Sequence, residues 1–170
     1  MTRRIAIPIL AGAMIALAPV YVQQRGINAQ ALKGYLEKMG LQYVPHPKSA
    51  NTLVVPRSNN QNADRIDLYV EMRPDQSLVL TAYPKSKGRY FNLMRAADRE
   101  KILQRLLEAN HRSFSTFFVD EQGDIGIRFT FTTENGVGFE SFRVAVTETF
   151  RIGDDYTPIL EEHMRKDEQK

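Results

Sequence analysis

The sequence predicts an α+β fold, a two-layer sandwich with a mainly antiparallel sheet of about five strands and helices on one face. Three observations predict it. Arg65–Met72 alternates cleanly: Ile66, Leu68, Val70 and Met72 point one way, and Asp67, Tyr69 and Glu71 the other, so one sheet face is apolar and one wet. Ser113–Val119 and Ile125–Thr132 read as a hairpin around Asp120–Asp124, with Gly123 supplying the positive φ that a bulged turn needs. Helical periodicity flanks both regions, giving the order α-β-β-β-α-β-β-α.

Each element has a local reason. Asn28 caps a helix running to Met39, with Leu32, Tyr35, Leu36 and Met39 on one face, and Gly40 stops it. Leu41–Val44 starts a strand that Pro45-His-Pro47 interrupts, and Thr52–Val55 is a short strand ended by Pro56. Ser58–Asn62 is an Asn-rich loop. Pro74–Ser77 is turn chemistry, so residues 65–83 form a hairpin. Pro84–Leu93 reads as a basic loop. A helix from Ala96 to Asn110 carries Ile102, Leu103, Leu106 and Leu107 as its stripe. In the second hairpin Phe114, Thr116 and Phe118 alternate opposite Ile125, Ile127, Phe129 and Phe131. A third helix, Phe139–Arg151, shows Phe142, Val146 and Phe150. Asp154–Thr157 breaks it, and Pro158 opens a short last helix.

The chain has 170 residues, enough for one core of ordinary size. The net charge is +3, and without Arg3 and Arg4 the excess falls to +1. The basic balance is therefore a weak argument for nucleic acid, and none is expected as a partner. The absence of cysteine excludes disulfides, thiolate nucleophiles and a lipidated cysteine.

Met1-Thr-Arg-Arg precedes Ile5–Val22, 18 positions without a charge. A cationic start and an apolar run make a signal peptide or signal anchor. As a helix the run spans about 27 Å, just short of a bilayer core of about 30 Å. Residues 1–26 are thus read as an export segment plus linker, 27–164 as the folded domain and 165–170 as a charged tail. The domain is expected to be periplasmic or extracellular, released or tethered through Ile5–Val22.

The stretch Leu106-Leu-Glu-Ala-Asn110-His, Phe114, then Phe118-Val-Asp120-Glu-Gln-Gly123-Asp124-Ile125-Gly-Ile127-Arg128 resembles the YbjN family, described as a regulator of sensory transduction. Ile27–Leu32 and Tyr35-Leu36 with Gly40-Leu41 resemble the family's opening helix. The resemblance covers about residues 27–163. It implies a fold similar to type III secretion chaperones, whose members bind extended protein segments, often as dimers. A protein partner follows from it, with a homodimer as an option. The chain departs from those chaperones in carrying an export segment and in lacking their acidity.

No catalytic constellation is visible. His46, His111 and His163 are far apart and lack the spacing of a metal pair. Ser113 and Ser115 sit in no nucleophile elbow, and there is no Gly-rich phosphate loop. Asp120, Glu121 and Asp124 lack calcium-loop spacing and read as a turn. Asp67 and Glu71 share a strand face, read as solvated. No metal and no cofactor is expected, and the chain reads as not an enzyme. The best candidate surface is the basic stretch Lys85–Arg105, with Lys85, Lys87, Arg89, Tyr90, Phe91, Arg95 and Arg99 as binding residues. The sequence thus predicts a non-catalytic interaction or regulatory module that binds a protein segment. The alternative is a binder of anionic lipid or phosphate-bearing surfaces through Lys85–Arg105.

Overall fold

A computed structural model describes residues 27–112, 114–133 and 136–164; the stretches read as an export segment and as a charged tail lie outside them. The order is α1 (Ala29–Lys38), β1 (Val44–His46), β2 (Ser49–Arg57), β3 (Arg65–Met72), β4 (Ser77–Ser86), β5 (Arg89–Tyr90), a 3-10 turn at Leu93–Arg95, α2 (Arg99–Arg112), β6 (Thr116–Val119), β7 (Ile125–Thr132) and α3 (Phe139–Glu162). The seven strands form one antiparallel sheet, β1-β2-β3-β4-β7-β6, with β5 folded back on the end of β4. The expected α+β sandwich is correct, and the strand count rises from about five to seven.

The helices lie on one face, as the strand pattern requires. Ile66, Leu68 and Val70 of β3 and Leu78, Leu80 and Ala82 of β4 are buried with Leu32 and Leu36 of α1 and Phe142, Val146 and Phe150 of α3. A second cluster joins Ile102, Leu106 and Ala109 of α2 to Phe91, Phe117, Ile125, Ile127 and, from the far half of α3, Leu160. α3 therefore closes both clusters. Gly153 lets it approach the sheet, since a Cβ there would meet Ile66 and Ile127 at 3.3 and 3.4 Å.

Several expected ends hold. The Asn28 side chain accepts from the Ala31 N–H at 2.9 Å. At the other end of α1, Gly40 has φ 69°, and Gly40 N–H and Leu41 N–H return to the Glu37 and Leu36 carbonyls. Gly123 has φ 85°, and Asp120 Oδ1 accepts the N–H groups of Gln122 and Asp124.

Where expectation fails, proline is the common cause. β1 runs through Pro45, and β2 runs from Ser49 through Pro56 to Arg57. β4 continues through Pro84 into the stretch read as a loop. Pro45 lies on an edge strand. Pro56 lies beyond the last β1 pair, Val44↔Val54, and Pro84 beyond the last β7 pair, Ala82↔Ile127. Each missing N–H thus falls where the ladder has one side open. α3 likewise does not break at Asp154–Thr157 but runs for 24 residues through Pro158. The carbonyl of Asp154, which Pro158 cannot engage, accepts instead from Asn62 Nδ2 at 3.2 Å.

Two faces are also rotated from expectation. On α2, Ile102, Leu106 and Ala109 are buried, whereas Leu103 and Leu107 are exposed. On β6 it is Phe117 that enters the core, while Phe118 lies on the open sheet face and Phe114 precedes the strand, fully exposed.

Candidate interaction surfaces

The basic stretch is a hairpin rather than a loop. Lys87 and Gly88 both have positive φ, 51° and 73°, and join Ser86 to Arg89 in a two-residue turn of the primed type. This geometry sorts the predicted binding residues. Lys85 faces inward: its Nζ is 2.9 Å from Asp67 Oδ2 and 4.2 Å from the Tyr90 ring centroid. Phe91 is a core residue. Arg99 donates to the Met94 carbonyl at 2.7 Å, and Arg95 donates to the Tyr90 carbonyl at 3.0 Å. Lys87 and Arg89 are exposed. Lys87, Arg89, Tyr90, Phe91 and Arg95 line a cleft of about 450 Å³ whose far wall is the end of α3, with Pro158, Glu161 and Met164. Lys85 and Arg99 do not line it. The two acidic residues of that wall, Glu161 and Glu162, reduce its positive character, and Glu161 takes a hydrogen bond from the Ser86 hydroxyl.

Asp67, expected on a solvated face, is 3% exposed. It accepts from Arg65 Nε at 2.6 Å and from the Tyr90 hydroxyl at 2.8 Å, besides pairing with Lys85. Burial works to raise its pKa, but the bonds from Lys85, Tyr90 and Arg65, with the charge of Lys85, more than offset this and hold it below the ordinary carboxylate value. The same burial, with hydrogen bonding to Tyr69 and Asp67, pushes the Tyr90 phenol well above its usual range. Asp67 is thus an ionised tie between strands at neutral pH, not a base waiting for a proton.

Around it the open face carries a row of rings that meet edge to face. His46 meets Tyr69 at 5.8 Å, Tyr69 meets Tyr83 at 5.7 Å, and Tyr83 meets Tyr90 at 5.6 Å and Phe118 at 5.9 Å. Gly126 lies beneath the last pair: a Cβ there would stand 2.7 Å from Phe118 and 3.0 Å from Tyr83. Sequence reading reached Tyr69 by alternation but missed Tyr83, Phe118 and Arg128. Their signal was the same period of two carried across paired strands, which needs the register.

The third surface lies on the helix side. Phe114, Phe129, Val144, Ala145, Ile152 and Tyr156 line a groove of about 680 Å³ along α3. Phe114 is 99% exposed and Val144 51%. The charged residues around it are paired with one another: Arg151 bonds Glu148 at 2.7 Å and Asp155 at 2.6 Å, and Arg143 bonds Glu140 at 2.8 Å.

The sheet edges, by contrast, are partly blocked. Asn110, the last residue of the Leu-Leu-x-x-Asn run, turns its side-chain amide onto β6, donating to the Phe117 carbonyl at 3.1 Å and accepting its N–H at 2.5 Å. The amide occupies the place of a neighbouring strand. The other edge is the three-residue β1, with Pro45 in it and a register shift at Pro45/His46.

Among the described residues no cluster of His, Asp and Glu could hold a metal, and no helix is long and apolar enough to cross a membrane. Comparison with known proteins agrees with this architecture. The crystal structure of "YbjN, a putative transcription regulator from E. coli" matches with a TM-score of 0.55 at 14% identity, over 82% of this chain and 96% of that one. The ExsC–ExsE complex matches with a TM-score of 0.48 at 12% identity, over 75% and 88%. At 14% identity the likeness to the YbjN structure is one of fold alone. No curated protein matches the sequence. Residues 58–162 match the YbjN family, described as "Putative bacterial sensory transduction regulator". On that match the chain belongs to the YbjN family.

Proposed function

We propose that the protein is an exported, non-catalytic regulatory module that acts by binding a segment of a partner protein in the groove along α3. The observation that carries this reading is Phe114, a phenyl ring left fully in water at the mouth of an apolar groove, with Val144 half exposed on the same lining. Large rings left in water beside a concave apolar surface mark interaction sites. The Asn110 cap on Phe117 and the short, proline-bearing β1 disfavour strand addition as the binding mode, so recognition falls to side chains. The partner chemistry that fits is an amphipathic segment with apolar anchors for the groove and polar flanks for its paired rim. Export rests on the cationic start and uncharged run of Met1–Val22. The domain is then released, or held by that run at the membrane.

A photo-crosslinking residue at Val144 tests the reading in the native envelope. The expected result is one dominant adduct that disappears with Phe114→Ser and persists with Lys87→Glu. Adducts to many proteins at similar yield, insensitive to Phe114, would reject it.

The exposed Lys87 and Arg89 support a second reading, the binding of anionic lipid or phosphate-bearing surfaces by the hairpin tip. Flotation with anionic vesicles that is lost in Lys87→Glu/Arg89→Glu and weakens with salt would support it. Flotation unchanged by either would exclude it.

A further inference from the structure

On the face of the sheet opposite the groove, one cation has no counterpart. Arg128 projects from β7 between Thr81 of β4 and Thr116 of β6. Its guanidinium carbon lies 4.2 Å from the Phe118 ring centroid, and its Nε is buried without a hydrogen-bond partner. Among the described residues no carboxylate pairs with it. The nearby Asp120 is already engaged, its Oδ1 accepting from the Gln122 and Asp124 N–H groups. Arg128 lines a hollow of about 410 Å³ with His46, Thr52, Tyr69, Thr81 and Tyr83. That volume lies in the lower part of the range of small-molecule sites.

A guanidinium over a ring, with hydroxyl and aromatic walls around it, carries a planar fork that matches two carboxylate oxygens. Glu71, Asp120 and Asp124 also border the hollow. They repel any anion in proportion to its charge, so a monocarboxylate seated directly on Arg128 is disfavoured less than a phosphate dianion. The ring edges and faces of Tyr69, Tyr83 and His46 suit an aromatic body. We propose that this hollow binds a small aromatic monocarboxylate, with the carboxylate on Arg128 and the ring among Tyr69, Tyr83 and His46. Such a site is independent of the groove along α3, and it would give a regulator of this family a chemical input.

Nuclear magnetic resonance titration of the full-length protein with benzoate tests the proposal. The expected result is a saturable shift of the Arg128 Nε–H and of the Tyr69 and Tyr83 ring signals, absent with benzyl alcohol, benzylamine or inorganic phosphate. Arg128→Lys keeps the charge but loses the fork, and should weaken benzoate by at least about tenfold. Its tyrosine near-ultraviolet circular dichroism should match that of the wild type. Equal shifts with benzyl alcohol, displacement by phosphate, or unaltered benzoate affinity in Arg128→Lys would overturn it, as would a wild-type Nε–H that does not move. Because the wild-type Nε–H is read directly, the outcome does not depend on any variant folding. Failure here leaves the Val144 crosslinking result untouched.

Discussion

Asn110 shows how much one side chain can settle. Its amide takes the place of a strand partner at one residue of the β6 edge and ties the end of α2 to Phe117. Asn110→Ala leaves the Phe117 N–H and carbonyl without these partners, at a cost of about 1–3 kcal/mol. The measurement is denaturant unfolding, and the midpoint should fall at unchanged slope. Asp67 contributes at the same scale but with a pH signature. Its folded pKa is below the unfolded value of about 3.9, so the native state binds fewer protons and acid favours unfolding. Its stabilisation is full above that value and is lost as pH falls through the folded pKa. In Asp67→Asn the loss of stability below about pH 4 should be shallower than in the wild type. At neutral pH the variant should be roughly 2–3 kcal/mol less stable, somewhat under a fully buried pair because Arg65 is half exposed. Parallel unfolding curves across pH for the two proteins would contradict the assignment.

At the scale of elements, Asp154 on α3 holds the loop before β3. Its carboxylate accepts the backbone N–H groups of Gln61, Asn62 and Ala63 at 2.7 to 2.8 Å. Burial works to raise its pKa, and these donors, with Arg57 nearby, hold it below normal. Asp154→Ala should speed amide hydrogen exchange at residues 61–63 while leaving β4 and β7 protected. Exchange unchanged there would mean the loop is held by other contacts. Elements of this kind were legible to different depths in the sequence. The alternation of Arg65–Met72 and the Asp120–Asp124 turn depend on neighbours in the chain, so they could be read. The prolines could not: Pro56, Pro84 and Pro158 are harmless only because β1 begins at Val44, β7 pairing ends at Ala82 and Asn62 reaches Asp154. Those are facts about distant residues. Ala109 rather than Leu103 or Leu107 faces inward because β6 approaches α2 from the side that Asn110 fixes. The basic stretch was found as composition, but its hairpin turned Lys85 inward and left Lys87 and Arg89 at the tip. The aromatic row escaped reading because its members come from five strands.

For the whole molecule, the sheet separates two surfaces of different character. The helix side offers an apolar groove with a self-paired rim, and the open side offers rings, hydroxyls and Arg128. Gly126 lets Phe118 and Tyr83 close over β7, so Gly126→Ala should disturb the open face first. We expect a changed tyrosine near-ultraviolet signal and a stability loss of about 1–3 kcal/mol, while crosslinking from Val144 persists. Loss of both together would mean that the two faces are not independent.

α3 is the last element of the chain, and it closes both apolar clusters. A polypeptide emerging from the ribosome therefore lacks the lid of its interior until Phe139–Glu162 has been made. A stalled nascent chain ending at Gly138 should remain protease-sensitive along its length, and one extended past the C-terminus by a linker should resist.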